Sequence, residues 1–131
     1  MAVDPTEFNH ITRNILAAAI EVHRTLGAGL LESAYAQCLE FELRAHGLRY
    51  VRQHTVPVVY KGAVLDACYR VDLVVEEKVV VEVQAVQAFS PLHEAQVLTY
   101  MRLTKCPAGL LINFNVPRLM DGVKRLINPR T

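Results

Sequence analysis

The run Val79-Val80-Val81-Glu82-Val83 constrains this chain more than any other stretch. It is apolar at successive positions, so it has no polar face to turn to water. Such a strand belongs inside a sheet that is covered on both sides. The preceding run, Asp72-Leu73-Val74-Val75, meets it across Glu76-Glu77-Lys78, which predicts a β-hairpin. Two carboxylates stand in this hairpin: Asp72 near the end of the first strand and Glu82 within the second. An unpaired carboxylate in an apolar strand is strongly disfavoured, so Glu82 requires a counter-charge. A metal ion would supply one. An ion pair with Arg70 on the neighbouring strand is the structural alternative.

The rest of the chain surrounds this hairpin with alternating helix and strand signals. Asp4, Pro5 and Glu7 form a capping pattern for a first helix whose apolar stripe is Phe8, Ile11, Ile15, Ala18, Ala19 and Val22. Gly27-Ala28-Gly29 links it to a second helix, from about Leu30 to His46. The expected stripe there is Leu31, Tyr35, Cys38 and Leu39, and Gly47 is the stop. Tyr50 to Tyr60 is rich in Val, Thr and Tyr and reads as a strand, with Pro57 marking it as an edge or a bulge. Val64 to Val75 and Val79 to Val86 are the next two strands. Ser90 and Pro91 start a third helix that ends near Thr104, with Leu92, Ala95, Leu98 and Thr99 facing inwards on an amphipathic reading. Gly109 to Phe114 is a fourth strand, and Asp121 to Ile127 leans towards a short additional one. The order ααβββαβ predicts an α/β fold in which a mixed four-stranded sheet is flanked by helices.

At 131 residues, 52% hydrophobic and 21% charged, the expectation is a single domain, 1–131, with a substantial core. Net charge is +1, so nucleic-acid binding has no bulk electrostatic support. Arg49, Arg52, Lys61, Arg118, Lys124 and Arg125 are the cations from which a local patch would be drawn. Cys38, Cys68 and Cys106 have no metal-binding spacing and an odd count, which argues against zinc and against a disulfide framework. The first residues do not read as a signal peptide, and no apolar run is long enough for a membrane span. A cytoplasmic, reducing setting is expected. The sequence leaves the oligomeric state open, a homodimer included.

The candidate site follows from strand alternation. Asp66, Cys68, Arg70 and Asp72 would share one face of the second strand, with Leu65, Tyr69, Val71 and Leu73 on the other. Val80, Glu82, Gln84 and Val86 would share a face of the third strand. Aligned across the hairpin, Asp72, Glu82 and Gln84 converge. Oxygen ligands of this kind suit Mg²⁺, which takes one or two carboxylates and keeps several waters. Glu32 is the candidate fourth member; it opens the second helix, with Tyr35 one turn later on the same surface. Its bland reading is a favourable first-turn carboxylate. His93, Gln96 and Tyr100 lie three and four residues apart on the third helix and would point at the same site.

The motifs Gly27-x-Gly29-x-x-Glu32-x-x-Tyr35, Tyr60-Lys61-Gly62, Tyr69-Arg70-x-Asp72, Glu82-x-Gln84 and Gly109 to Phe114 together resemble the GxxExxY proteins. These are small bacterial and archaeal members of the PD-(D/E)XK nuclease superfamily, and the resemblance runs from about Phe8 to Asn128. It implies a restriction-endonuclease-like core and a Mg²⁺- or Mn²⁺-dependent nuclease acting on DNA or RNA. It matches Asp72 to the metal-binding Asp, Glu82 to the acidic residue of the (D/E)XK element, and Glu32 to the helical Glu near the metal. Gln96 and Tyr100 match a Q-x-x-x-Y element. Gln84 departs from the pattern, which has Lys there. Gln can orient a water but carries no positive charge, and losing a preorganised charge beside a developing oxyanion raises the barrier. The second functional reading is therefore a catalytically weakened nuclease fold that binds nucleic acid or a protein.

Overall fold

A computed structural model describes residues 7–128. The elements are α1 (Asn9–Leu26), α2 (Glu32–Ala45), β1 (Tyr50–Tyr60), β2 (Ala63–Val75), β3 (Val79–Gln84), α3 (Pro91–Thr104), β4 (Ala108–Asn113) and β5 (Val123–Ile127). A short 3-10 turn, Leu119–Gly122, precedes β5. One five-stranded sheet has the order β1-β2-β3-β4-β5. Its pairs are antiparallel except β3 and β4, which run parallel because α3 carries the chain across. The sheet thus has five strands rather than four. The tail becomes a strand because it pairs along β4 from Ala108↔Ile127 to Ile112↔Val123.

As the apolar run requires, β3 is the middle strand and both its faces are dry. Leu73, Val81, Val83, Leu110 and Ile112 pack under α1 and α2 with Phe8, Ile15, Tyr35 and Leu39. Val74, Val80 and Leu111 pack on the opposite face, under Val97, Tyr100 and Met101 of α3. Gly109 lets α3 come this close: a Cβ there would stand 2.7 Å from Val97 Cγ1.

Tertiary packing changed two local expectations, the inward faces of α2 and α3. Asp4 and Pro5 lie outside the described residues; α1 starts at Asn9, and its N-cap Phe8 offers no side-chain cap but is fully buried. Leu31 is not part of the α2 stripe; it precedes the helix and is 77% exposed, while Tyr35, Leu39 and Leu43 form the buried face. On α3 the buried residues are Val97, Tyr100 and Met101, and Leu92 and Leu98 are exposed. Here the close approach at Gly109 picks the inward face.

The edge strand β1 carries Pro57 at a register shift, as its chemistry demands. Beyond Arg70, β1 and β2 form a largely exposed two-stranded arm. Among the described residues no helix is long and apolar enough to cross a membrane.

Candidate metal centre

The β2–β3 ladder is short: Val75↔Val79, Val74↔Val80 and Leu73↔Val81. The next pair in that register is Asp72 with Glu82, and there side chains replace the backbone bonds. Asp72 N–H donates to Glu82 Oε1 at 3.0 Å, and Val83 N–H donates to Asp72 Oδ2 at 2.9 Å. Each carboxyl thus engages one oxygen with the other strand's backbone. Both are fixed where the two strands part.

On the other side of β2 the ladder is also broken at this point. Arg52↔Leu73 and His54↔Val71 pair, but Gln53 and Asp72 do not, and Gln53 has φ +48°. Strict alternation therefore fails at Asp72. Tyr69 and Val71 join the α3 side, and Leu73 joins the α1/α2 side. The expected shared face of Tyr69, Val71 and Leu73 does not exist.

The electrostatics of the pair are those of an uncompensated acidic site. Glu82 is 8% exposed, and its carboxyl is pushed up to about 8, first by burial and then by the charge of Asp72. Burial likewise raises the Asp72 carboxyl, against the hydrogen bond from Val83 that lowers it. Like charges this close disfavour ionising both carboxyls at once, so the pair favours keeping a proton. Glu32 raises both through its charge. Among the described residues, no cation shifts either carboxyl.

Glu32 is the exposed first residue of α2, and its Oε2 accepts from Ala85 N–H at 3.4 Å, just past the end of β3. Gln84 follows Glu82 by two residues and is half-buried; among the described residues its side-chain amide makes no hydrogen bond. Tyr100 is buried beside the pair, and its hydroxyl is raised by burial and then by the charges of Glu82 and Asp72. Its ring meets Tyr69 edge-on at 5.9 Å. Tyr69, Gln96 and Tyr100 line a hollow of about 110 Å³ on this flank.

Three expected members are placed elsewhere. Arg70 is exposed and pairs with neither carboxylate, which removes the ion-pair explanation of Glu82. His93 completes the α3 capping box, its Nδ1 accepting from Ser90 N–H at 3.0 Å, and is spent on the helix start. Tyr35 is fully buried and turned away into the core rather than lying beside Glu32 on the surface. No group of three or more His, Cys, Asp and Glu among the described residues is arranged as a metal-ligand cluster. The acids gathered here are the Asp72–Glu82 pair, with Glu32 at its margin.

Sequence reasoning missed Asn113. It is buried, and its carboxamide accepts from Val86 N–H at 3.0 Å and donates to Val86 O at 2.8 Å. It thereby fixes the segment that leaves β3 after Gln84. Its signal was the single polar residue at the end of the apolar run Leu110-Leu111-Ile112.

Three of the expected cations are engaged by acids. Arg49 pairs with Glu76, Arg52 with Glu40 and Lys124 with Glu94. A cavity of about 620 Å³ lies against α1, α2 and Arg52 and shares no residue with the carboxylate site.

No curated protein matches the sequence. Among solved structures, one described as the crystal structure of SSO0001 is similar, with a TM-score of 0.57 at 15% identity. The match covers 96% of this chain and 62% of that one, so this chain spans less than two thirds of its length. At such identity the likeness concerns the fold alone. A family model described as the PD-(D/E)XK nuclease superfamily matches residues 9–126. That span takes in all of the sheet but its last residue and both carboxylates at the parting of its central strands, and the chain belongs to the PD-(D/E)XK nuclease superfamily.

Proposed function

We propose that this chain is a single nuclease-like domain that hydrolyses phosphodiester bonds in DNA or RNA with Mg²⁺ or Mn²⁺. The observation that carries the reading is the Asp72–Glu82 pair: two largely buried acids on the central strands that no cation faces among the described residues. A divalent cation suits that donor set, because Mg²⁺ binds through one or two carboxylates and otherwise keeps its waters. Asp72 and Glu82 would hold the ion, and Glu32 would assist. When bound, it would stabilise charge on a phosphoryl oxygen and acidify a water. The Gln84 amide would orient the attacking water through its hydrogen bonds. Tyr100 and Gln96 would support the site from α3.

Nucleic acid would reach the site through the metal and through local contacts, since net charge is +1. A cytoplasmic setting fits the three free thiols Cys38, Cys68 and Cys106. One observation favours a second reading. Gln84 brings no positive charge to the site, which fits a weakened nuclease fold that binds nucleic acid or protein without turnover.

Cleavage assays on single- and double-stranded DNA and RNA, with Mg²⁺ or Mn²⁺ against EDTA, separate these readings. Metal-dependent cleavage that Asp72→Ala or Glu82→Ala abolishes supports the nuclease. Gln84→Lys should raise it by about tenfold or more, the effect of roughly 1.4 kcal/mol. Binding without cleavage in every variant, Gln84→Lys included, would sink the nuclease and leave the binding module.

A further inference from the structure

The motif Gly27-x-Gly29-x-x-Glu32-x-x-Tyr35 is only partly explained by a carboxylate at Glu32. Its remaining residues form one mechanical unit. Gly27 and Gly29 have φ +72° and +101°, in the left-handed region where side chains are strained, and they turn the chain sharply between α1 and α2. Tyr35, one helical turn past Glu32, reaches back into that turn. Its hydroxyl donates to Gly27 O at 2.6 Å and accepts from Leu30 N–H at 3.1 Å.

The same ring is tied to the far side of the site. Tyr35 stacks on Phe114, with centroids 4.6 Å apart and planes 10° from parallel. Phe114 N–H in turn donates to Gln84 O at 2.9 Å. The next residue, Ala85, gives its N–H to Glu32. A closed circuit therefore runs from Glu32 through α2 to Tyr35, across the stack to Phe114, through Gln84 to Ala85 and back. A phenylalanine at position 35 would fill the core equally well. The tyrosine hydroxyl has a specific task, because Gly27 O and Leu30 N–H otherwise lose their partner.

We propose that Tyr35 is a positioning residue: through its hydroxyl and its stack on Phe114 it registers the first turn of α2 against the end of β3, and so holds Glu32 at the Asp72–Glu82 pair. This rests on the reading of that pair as a metal centre. Side-chain placement by outer contacts of this kind typically changes metal affinity by tenfold or more.

The test is Mn²⁺ binding to the full chain, read by calorimetry or by the Mn²⁺ electron-spin signal. Tyr35→Phe keeps the ring and the stack and removes both hydrogen bonds. We expect about tenfold weaker binding, with a similar loss in Glu32→Gln. In Tyr35→Phe/Glu32→Gln the loss should be no greater than in either single variant, because both act through one carboxylate. A purely structural role would leave the two effects multiplicative. Multiplicative effects, or unchanged Mn²⁺ affinity in Tyr35→Phe, would overturn the proposal while leaving the metal centre intact. No Mn²⁺ binding by the unaltered protein would overturn the metal centre itself and the proposal with it. Should Tyr35→Phe fail to fold, Phe114→Leu, which removes the stack, is read against Glu32→Gln in the same way.

Discussion

Glu40 and Glu82 are almost equally buried, at 9% and 8% exposure, but their surroundings are opposite in sign. Glu40 has Arg52 at 3.3 Å and accepts a hydrogen bond from the Tyr50 hydroxyl at 3.2 Å. Glu82 has Asp72 across the strand gap and feels Glu32 as well. The chain therefore supplies a cation for one buried glutamate and surrounds the other with acids. Burying like charges together is costly, so an arrangement of this kind is held only by a protonated carboxyl or by a cation from outside. That is the physical case for treating Glu82 as a site and Glu40 as structure.

The comparison is most easily broken by charge removal that keeps the hydrogen bonds. Glu82→Gln still accepts from Asp72 N–H. It should lower metal-dependent cleavage by on the order of 10³-fold, as expected when a metal ligand is lost. Glu40→Gln should stay within a few-fold in the same assay. Equal losses in the two variants would erase the distinction.

Next in size is the pH dependence of stability without metal. The folded Glu82 carboxyl titrates near 8, against an ordinary value of 4.5. Between those pH values the folded protein holds a proton that the unfolded chain has released. Stability from this group is therefore complete below pH 4.5 and lost as pH rises through about 8. Urea titrations in EDTA should show a fall on the order of 3 kcal/mol from pH 5 to pH 9. Glu82→Gln should flatten that fall and Glu40→Gln should not. A slope of opposite sign would contradict the buried acidic pair.

Added metal should then offset the loss. At a hundredfold excess over its Kd, Mn²⁺ should stabilise the folded protein by about 2.7 kcal/mol, seen as a rise of several degrees in Tm. Glu82→Gln should reduce the shift, while Glu40→Gln should keep it. Smallest of all is Arg52→Ala. It removes the Glu40 cation, but the Arg52 side chain is 58% exposed and the pair is screened by water. A cost of about 1 kcal/mol in chemical denaturation is expected, with metal binding unaltered.

Much of this was legible in the residues. The hairpin, the central place of β3 and the edge place of β1 follow from apolar runs and from Pro57, because burial on two faces needs continuous apolar sequence. The juxtaposition of Asp72 and Glu82 follows from hairpin register. Three-dimensional effects hid the rest. Alternation on β2 is interrupted at Asp72 by an unpaired Gln53, a break that no period-two pattern announces. His93 was drawn into the α3 cap, a local competition invisible to helical spacing. Arg70 was a plausible partner by sequence, yet the break in the ladder leaves it in solvent.

Sequence by itself determined the central strand, the helices around it and the two acids that meet where its ladder ends. It did so because apolar periodicity and turn chemistry act between near neighbours. Only the tertiary structure decided that those acids face no cation among the described residues, that Glu32 reaches the same strand end, and that Tyr35 and Phe114 join the two. Charge compensation and stacking are set by distances between residues far apart in the chain. Tyr35 and Phe114 are separated in sequence by the rest of α2, four strands and α3, and only the folded core brings their rings to 4.6 Å.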